Sequence, residues 1–136
     1  MTDQPLFVRD RPTTAYVALA RNVDRDGLPL TVLDELAGAG FTPAELGDLV
    51  INPRTLRHRR ARGEALSPDE AERAVRVGRL LATASEVLGD RQAAWEWLRS
   101  PNPSLERMRP IDLLRTEIGA RLVEEALVRL EHGMFA

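Results

Sequence analysis

No cysteine occurs among the 136 residues, so neither a disulfide framework nor a thiolate metal site can form, and a reducing cytoplasm is the expected compartment. Histidine is almost as scarce, and His58 and His132 alone argue against a zinc site. No run approaches the roughly 18 consecutive apolar residues of a membrane span, and no basic cluster leads into an apolar stretch as a secretion signal would. Lysine is missing too, so all 19 basic residues are arginine. A bias that covers the whole chain follows from genome base composition and cannot be assigned to one site, although the planar guanidinium suits phosphate and carboxylate recognition. Alternation of β-branched or aromatic residues with polar ones, the signal of strands, is absent. So are a glycine-rich phosphate loop and any grouping of nucleophile, base or metal ligands. The hydroxyl and acidic residues sit at capping or surface positions, which argues against an enzyme and against a bound cofactor.

What remains is an all-α protein long enough for one domain, or for two small ones sharing a core. Charge is unevenly placed. Residues 49 to 63 hold Arg54, Arg57, Arg59, Arg60 and Arg62 with no acid, a window of +5 in a chain whose formal net charge is −2, which leaves −7 elsewhere. Residues 1 to 12 are polar and read as a loose arm, and Thr13 to Asn22 as a short helix ended by Gly27-Leu28-Pro29. The next starts are explicit. Thr42-Pro43-Ala44-Glu45 and Ser67-Pro68-Asp69-Glu70 each set a hydroxyl at the N-cap, proline at the first helical position and glutamate three residues after the cap, so two orphan amides are satisfied reciprocally. Asn52-Pro53 repeats the cap and the proline. Helices are therefore expected at about 31–39, 43–50, 53–62 and 68–89.

The two central short helices make a helix-turn-helix candidate. Leu46, Leu49 and Val50 form the apolar face of the first, Gly47 suits close packing, and Leu56 anchors the second. The remaining faces of that second helix carry Arg54, Thr55, Arg57, His58, Arg59, Arg60 and Arg62. In such a unit the second helix enters the major groove, where arginines grip phosphates or guanine edges. We take Arg54, Thr55, Arg57, His58, Arg59 and Arg62 as DNA-contacting candidates; the alternative is a helical subdomain whose arginines are a solvated face. The turn Ile51-Asn52-Pro53 lacks the usual glycine and looks one residue short, which bears on sequence-specific readout more than on general affinity.

From Pro68 to Leu88 two apolar faces lie side by side. Ala71, Ala74, Val75, Gly78, Leu81, Ala82, Ser85 and Leu88 form one, and Val77, Leu80, Ala84 and Val87 the other, so this helix is expected to be central. Core packing and a dimer interface both fit its small residues. Asp90 is placed to cap a helix from about Arg91 to Arg99. There Trp95 and Trp97 lie about 200° apart, so they face different neighbours. Ser100 to Ser104 is a turn-rich connection that no regular element is expected to cross. Pro110 opens a short helical turn, and Thr116 can cap a last helix whose buried stripe is expected to be Gly119, Leu122, Val123, Ala126, Leu127 and Leu130. Val128 falls on its polar side. Beyond Gly133 come Met134-Phe135-Ala136, large apolar residues that either fold back or await a partner.

Ala94-x-x-Trp97-Leu98, Pro101-Asn102, Leu105, Pro110-x-x-Leu113-Leu114, Thr116-x-x-Gly119 and a helix stopping at Gly133 together resemble the toxin-binding domain of bacterial antitoxins of the Xre/MbcA/ParS group. Arg54-Thr55-Leu56 supports the match to their Xre-like helix-turn-helix. The resemblance spans about residues 30 to 136. It implies a helical bundle of three parts: an arm and short helix over 1–30, an Xre-like helix-turn-helix over 31–66, and a toxin-binding domain over 67–136 reached by a shared long helix. Many members carry Leu-Gly-Gly where this chain has Leu105-Glu106-Arg107, so the backbone before Pro110 is expected to differ.

By that resemblance Trp97 with Leu98 is the core member and Trp95 is left partly exposed, either as a partner contact or packed under the arm. It also implies a type II antitoxin, acting as a homodimer within a toxin–antitoxin hetero-oligomer, that neutralises a RES-domain toxin consuming NAD and represses its own operon by binding operator DNA. The last helix and tail would occlude the toxin's NAD pocket. Mapped by position, the toxin-binding candidates are Trp95, Val128, Arg129, Glu131, His132, Gly133, Met134 and Phe135. Two other classes stay open: a stand-alone helix-turn-helix regulator whose C-terminal half only dimerises, and a small enzyme.

Overall fold

Helix starts written into the sequence decide where the chain turns. In a computed structural model, which describes residues 27–133, the order is α1 (Thr31–Gly38), α2 (Pro43–Leu49), α3 (Pro53–Arg62), α4 (Pro68–Leu88), α5 (Arg91–Leu98), two 3₁₀ segments (Pro103–Leu105 and Pro110–Arg115) and α6 (Glu117–Glu131). Among the described residues there is no strand, only an isolated antiparallel bridge between Asn102 and Met108. The expected helix over 13–22 lies outside the described residues. None of the described helices is long and apolar enough to cross a membrane. The chain divides into two compact units, with the division inside α4, between Val75 and Arg76.

In the first unit the capping chemistry is as written. The Thr42 hydroxyl accepts from the Glu45 amide at 3.1 Å while Glu45 Oε1 accepts from the Thr42 amide at 2.9 Å. Ser67 and Glu70 repeat this box, with the Ser67 amide donating to Glu70 Oε1 at 2.7 Å. Asn52 Oδ1 accepts from both Arg54 and Thr55 amides and starts α3. Leu36, Phe41, Leu49, Val50, Ile51 and Leu66 are among the buried apolar residues of this unit.

The turn between α2 and α3 closes in three residues without glycine because it never enters the left-handed region. Val50 has φ −121° and Asn52 φ −61°, and Val50 and Ile51 turn inward and are buried. The small residue lies one turn earlier, at Gly47, where even a Cβ would only touch the Pro53 ring at 3.4 Å. Arg73 Nε then donates to the Val50 carbonyl at 2.9 Å, satisfying a helix-end acceptor.

In the second unit Val77, Leu80, Ala84, Leu98, Leu114, Val123 and Leu127 are sealed from solvent. Both apolar faces of α4 are partly buried: Ala71, Ala74, Gly78 and Leu81 on one and Val77, Leu80 and Ala84 on the other, while Val75, Ala82, Ser85, Val87 and Leu88 are half-buried. Thr116 caps α6 by accepting from the Gly119 amide at 3.0 Å. Gly119 itself is fixed by crowding, since a Cβ there would run into the Leu113 carbonyl. That collision is the physical content of Pro-x-x-Leu-Leu followed by Thr-x-x-Gly.

The connection after α5 is more regular than expected. Pro103–Leu105 makes a 3₁₀ turn, and the buried Asn102 organises the loop. Its Oδ1 accepts from the Ser104 amide and hydroxyl, its carbonyl from the Leu105 and Arg107 amides, and its amide donates to the Met108 carbonyl. A short polar side chain can reach backbone groups two or three residues on, which is why asparagine serves here.

Candidate functional site

Two surfaces follow from this frame, one on α3 and one on α6. Helix α3 has no fully buried residue, and even Leu56 is only half-buried. At about 100° per residue, Arg54, Arg57, His58, Ala61 and Arg62 fall on one side, and all five are exposed. Thr55 and Arg59 turn the other way and are half-buried. The DNA-contacting candidates of the sequence therefore divide by side: Arg54, Arg57, His58 and Arg62 face solvent together, whereas Thr55 and Arg59 do not join them.

Arg59 holds α3 in place. Its Nε and Nη2 each donate at 3.3 Å to the two oxygens of Glu70, and Nη1 reaches Glu64 at 3.4 Å. The two-pronged bond to Glu70 raises the Arg59 pKa above its ordinary value. Burial alone would push the Glu70 carboxyl up, but the Ser67 amide and hydroxyl and the Arg59 guanidinium together outweigh it and leave Glu70 below its ordinary value. Glu70 thus ends α3's freedom and starts α4 at once. The sequence had shown only its capping role, because the second partner lies eleven residues away.

On α6 the inward face is Gly119, Ala120, Val123, Ala126 and Leu127. Two residues of the stripe expected from spacing are not part of it, Leu122, which is 43% exposed, and Leu130, which is half-buried, while Ala120 is buried in addition. Val128 is 48% exposed and lines a shallow groove with Arg121, Glu124, Glu125 and Arg129. Glu131, His132 and Gly133 are exposed at the helix end and Arg129 is half-buried. Met134 and Phe135 lie outside the described residues.

Trp95 is corrected. It is the buried tryptophan, 9% exposed, with the Arg99 guanidinium 3.9 Å over its ring, while Trp97 is the half-buried one. The 200° separation required one of the two to face inward, and a cation stacked on Trp95 completes its burial. Trp95 is therefore a packing residue rather than an exposed contact.

Arg76 was not singled out by the sequence at all. Its guanidinium is buried and donates from Nε to the Leu114 carbonyl at 3.1 Å, from Nη2 to the Arg115 carbonyl at 2.9 Å, and from Nη1 to Glu117 at 3.1 Å. Those carbonyls end the second 3₁₀ segment, where acceptors lack partners of their own. Arg79 donates to Glu124 at 2.7 Å further along α6. Arg76 therefore positions the start of α6 and Arg79 supports its middle.

Known proteins resemble this chain in sequence. Residues 83–133 match the family model of the antitoxin Xre/MbcA/ParS C-terminal toxin-binding domain, and residues 20–79 match that of the antitoxin Xre-like helix-turn-helix domain. Antitoxin Xre of Pseudomonas putida is 35% identical over 109 residues, covering 79% of this chain and 68% of its own. The chain belongs to the Xre/MbcA/ParS antitoxins. Antitoxin Xre of Yersinia enterocolitica is 37% identical over 87 residues, 63% of this chain and 59% of its own length. The Prs ADP-ribosylating antitoxin of a Sphingobium strain is 30% identical over 97 residues, 65% of this chain and 61% of its own.

Glu106 and Arg107, standing where many members have Gly-Gly, both adopt left-handed conformations, with φ 55° and 65°. The loop before Pro110 is held by the Asn102 hydrogen bonds, and the two side chains bear the steric penalty of the left-handed region.

Proposed function

We propose that this antitoxin neutralises a RES-domain toxin that consumes NAD, by lodging the end of α6 and the residues after it in the entrance of the NAD pocket. The observation that carries the reading is the end of α6. An exposed Val128 stands there beside Arg129, Glu131, His132 and Gly133 on a helix whose opposite face is fully committed to its own core. Inhibition is steric. Apolar anchors supply the affinity, and the flanking charges set the register of the peptide in the cavity. The relative named as an ADP-ribosylating antitoxin supports a partner that uses NAD, because transfer of ADP-ribose consumes that cofactor.

In this reading the antitoxin acts in the cytoplasm as a homodimer within a hetero-oligomer and represses its own operon through α3, with Arg54, Arg57, His58 and Arg62 toward the DNA. Coexpression with the product of the adjacent reading frame yields a stable complex and restores growth. Deleting Met134 to Ala136 abolishes rescue; unchanged rescue and unchanged inhibition of NAD consumption would refute the plug. Replacing Arg54 and Arg57 by alanine weakens operator binding and flattens the salt dependence by roughly 2 to 4 in slope for the two protomers together, while toxin capture persists.

A further inference from the structure

Ile118 is 78% exposed at the second position of α6, and Leu122, one turn on, is 43% exposed. Nothing local accounts for them. The first turn of a helix favours acidic side chains, and a β-branched residue lowers helix propensity, so a solvated Ile118 is a poor choice for the helix itself. The helix's own core is complete on the opposite side, from Gly119 to Leu127. Going up the helix, Ile118, Leu122, Glu125 and Arg129 follow one another at intervals of four, three and four residues. At about 100° per residue they fall within about 60° of each other, along a ridge of roughly 17 Å. This is the pattern by which a helix lies in a groove.

Resting on the proposed toxin capture, we infer that this ridge is a second anchor for the toxin: Ile118 and Leu122 enter an apolar groove on the toxin surface, outside the NAD pocket. The ridge lies wholly within residues 83–133, the part that matches a toxin-binding domain, and it meets the proposed plug at Arg129. Its charges define the complementary surface, a cation opposite Glu125 and a carboxylate opposite Arg129. Capture and occlusion are then separable. The ridge holds the toxin, and the tail closes the pocket.

The test uses the full chain with Ile118→Asp, and separately Leu122→Gln, against the purified product of the adjacent reading frame. Aspartate at the second helical position complements the helix dipole, so Ile118→Asp folds with an unchanged or higher melting temperature. Toxin affinity falls on the order of a hundredfold in titration calorimetry, while sedimentation of the chain alone is unchanged. Affinity within about twofold of the parent overturns the inference. Loss of self-association with toxin affinity intact also overturns it, giving the ridge to a second copy of the chain. If the parent chain itself captures no toxin, the underlying functional reading falls and this inference with it. A complex indifferent to Ile118→Asp yet sensitive to loss of Met134 to Ala136 removes the ridge alone.

Discussion

Replacing Arg76 by methionine keeps the buried aliphatic stem and removes three donors. The Leu114 and Arg115 carbonyls stay behind whichever side chain stands there, so their desolvation is no longer compensated. A hydrogen bond from a charged donor contributes about 1.5–3 kcal/mol. Two of them, taken at the lower end of that range, give about 3 kcal/mol. The third donor reaches Glu117, which is 74% exposed, and an ion pair so solvated contributes roughly 0–1 kcal/mol. Unfolding entropy of about 2.1 cal/mol/K per residue turns 3 kcal/mol into a fall of about 10 °C in melting temperature. The assay is thermal unfolding followed by circular dichroism, with Glu117→Gln in parallel and hydrogen exchange over residues 113–119. Arg76→Met melts about 10 °C low with faster exchange there, and Glu117→Gln stays within about 3 °C of the parent. If the two variants melt alike, the carbonyl clasp does not hold the start of α6 and the reasoning is wrong.

Three further outcomes are expected. Gly119→Ala costs about 3 kcal/mol in urea titration because its methyl meets the Leu113 carbonyl, whereas Gly47→Ala stays within about 1 kcal/mol, its methyl resting in contact with Pro53. Arg107→Gly raises stability by about 0.5–1 kcal/mol, since removing left-handed strain of about 1–2 kcal/mol outweighs the extra backbone entropy of glycine. Because the Glu70 pKa is lower in the folded chain, its stabilisation is present at neutral pH and is lost as the pH falls below about 4.5 through the folded value. Glu70→Gln therefore loses most at pH 7, and its gap to the parent in urea midpoint narrows toward pH 3; a constant gap would contradict the assignment.

Much of the fold was legible because its instructions are local. Thr42 with Glu45, Asn52 with Pro53, Ser67 with Glu70, Asp90 and Thr116 each act on amides two or three residues away, so the starts of α2 to α6 could be read directly. Periodicity went less far. It showed that α4 has two adjacent apolar faces and that the tryptophans of α5 point apart, without the direction in which the neighbours lie. Hence Trp95 and Trp97 exchanged roles, and Leu122 moved from the core to the surface.

By itself, then, the sequence determined the helical class, the helix starts, the basic helix α3 and the family pattern, because capping, proline geometry and charge placement operate within one or two turns. Only the tertiary structure decided that Arg59 clasps Glu70 instead of facing outward, that Arg76 closes the carbonyls before α6, and that Glu106 and Arg107 carry left-handed strain. Those contacts join residues up to about forty positions apart, and a buried guanidinium is spelled with the same letter as a solvated one. Burial, not residue type, sets what each arginine does.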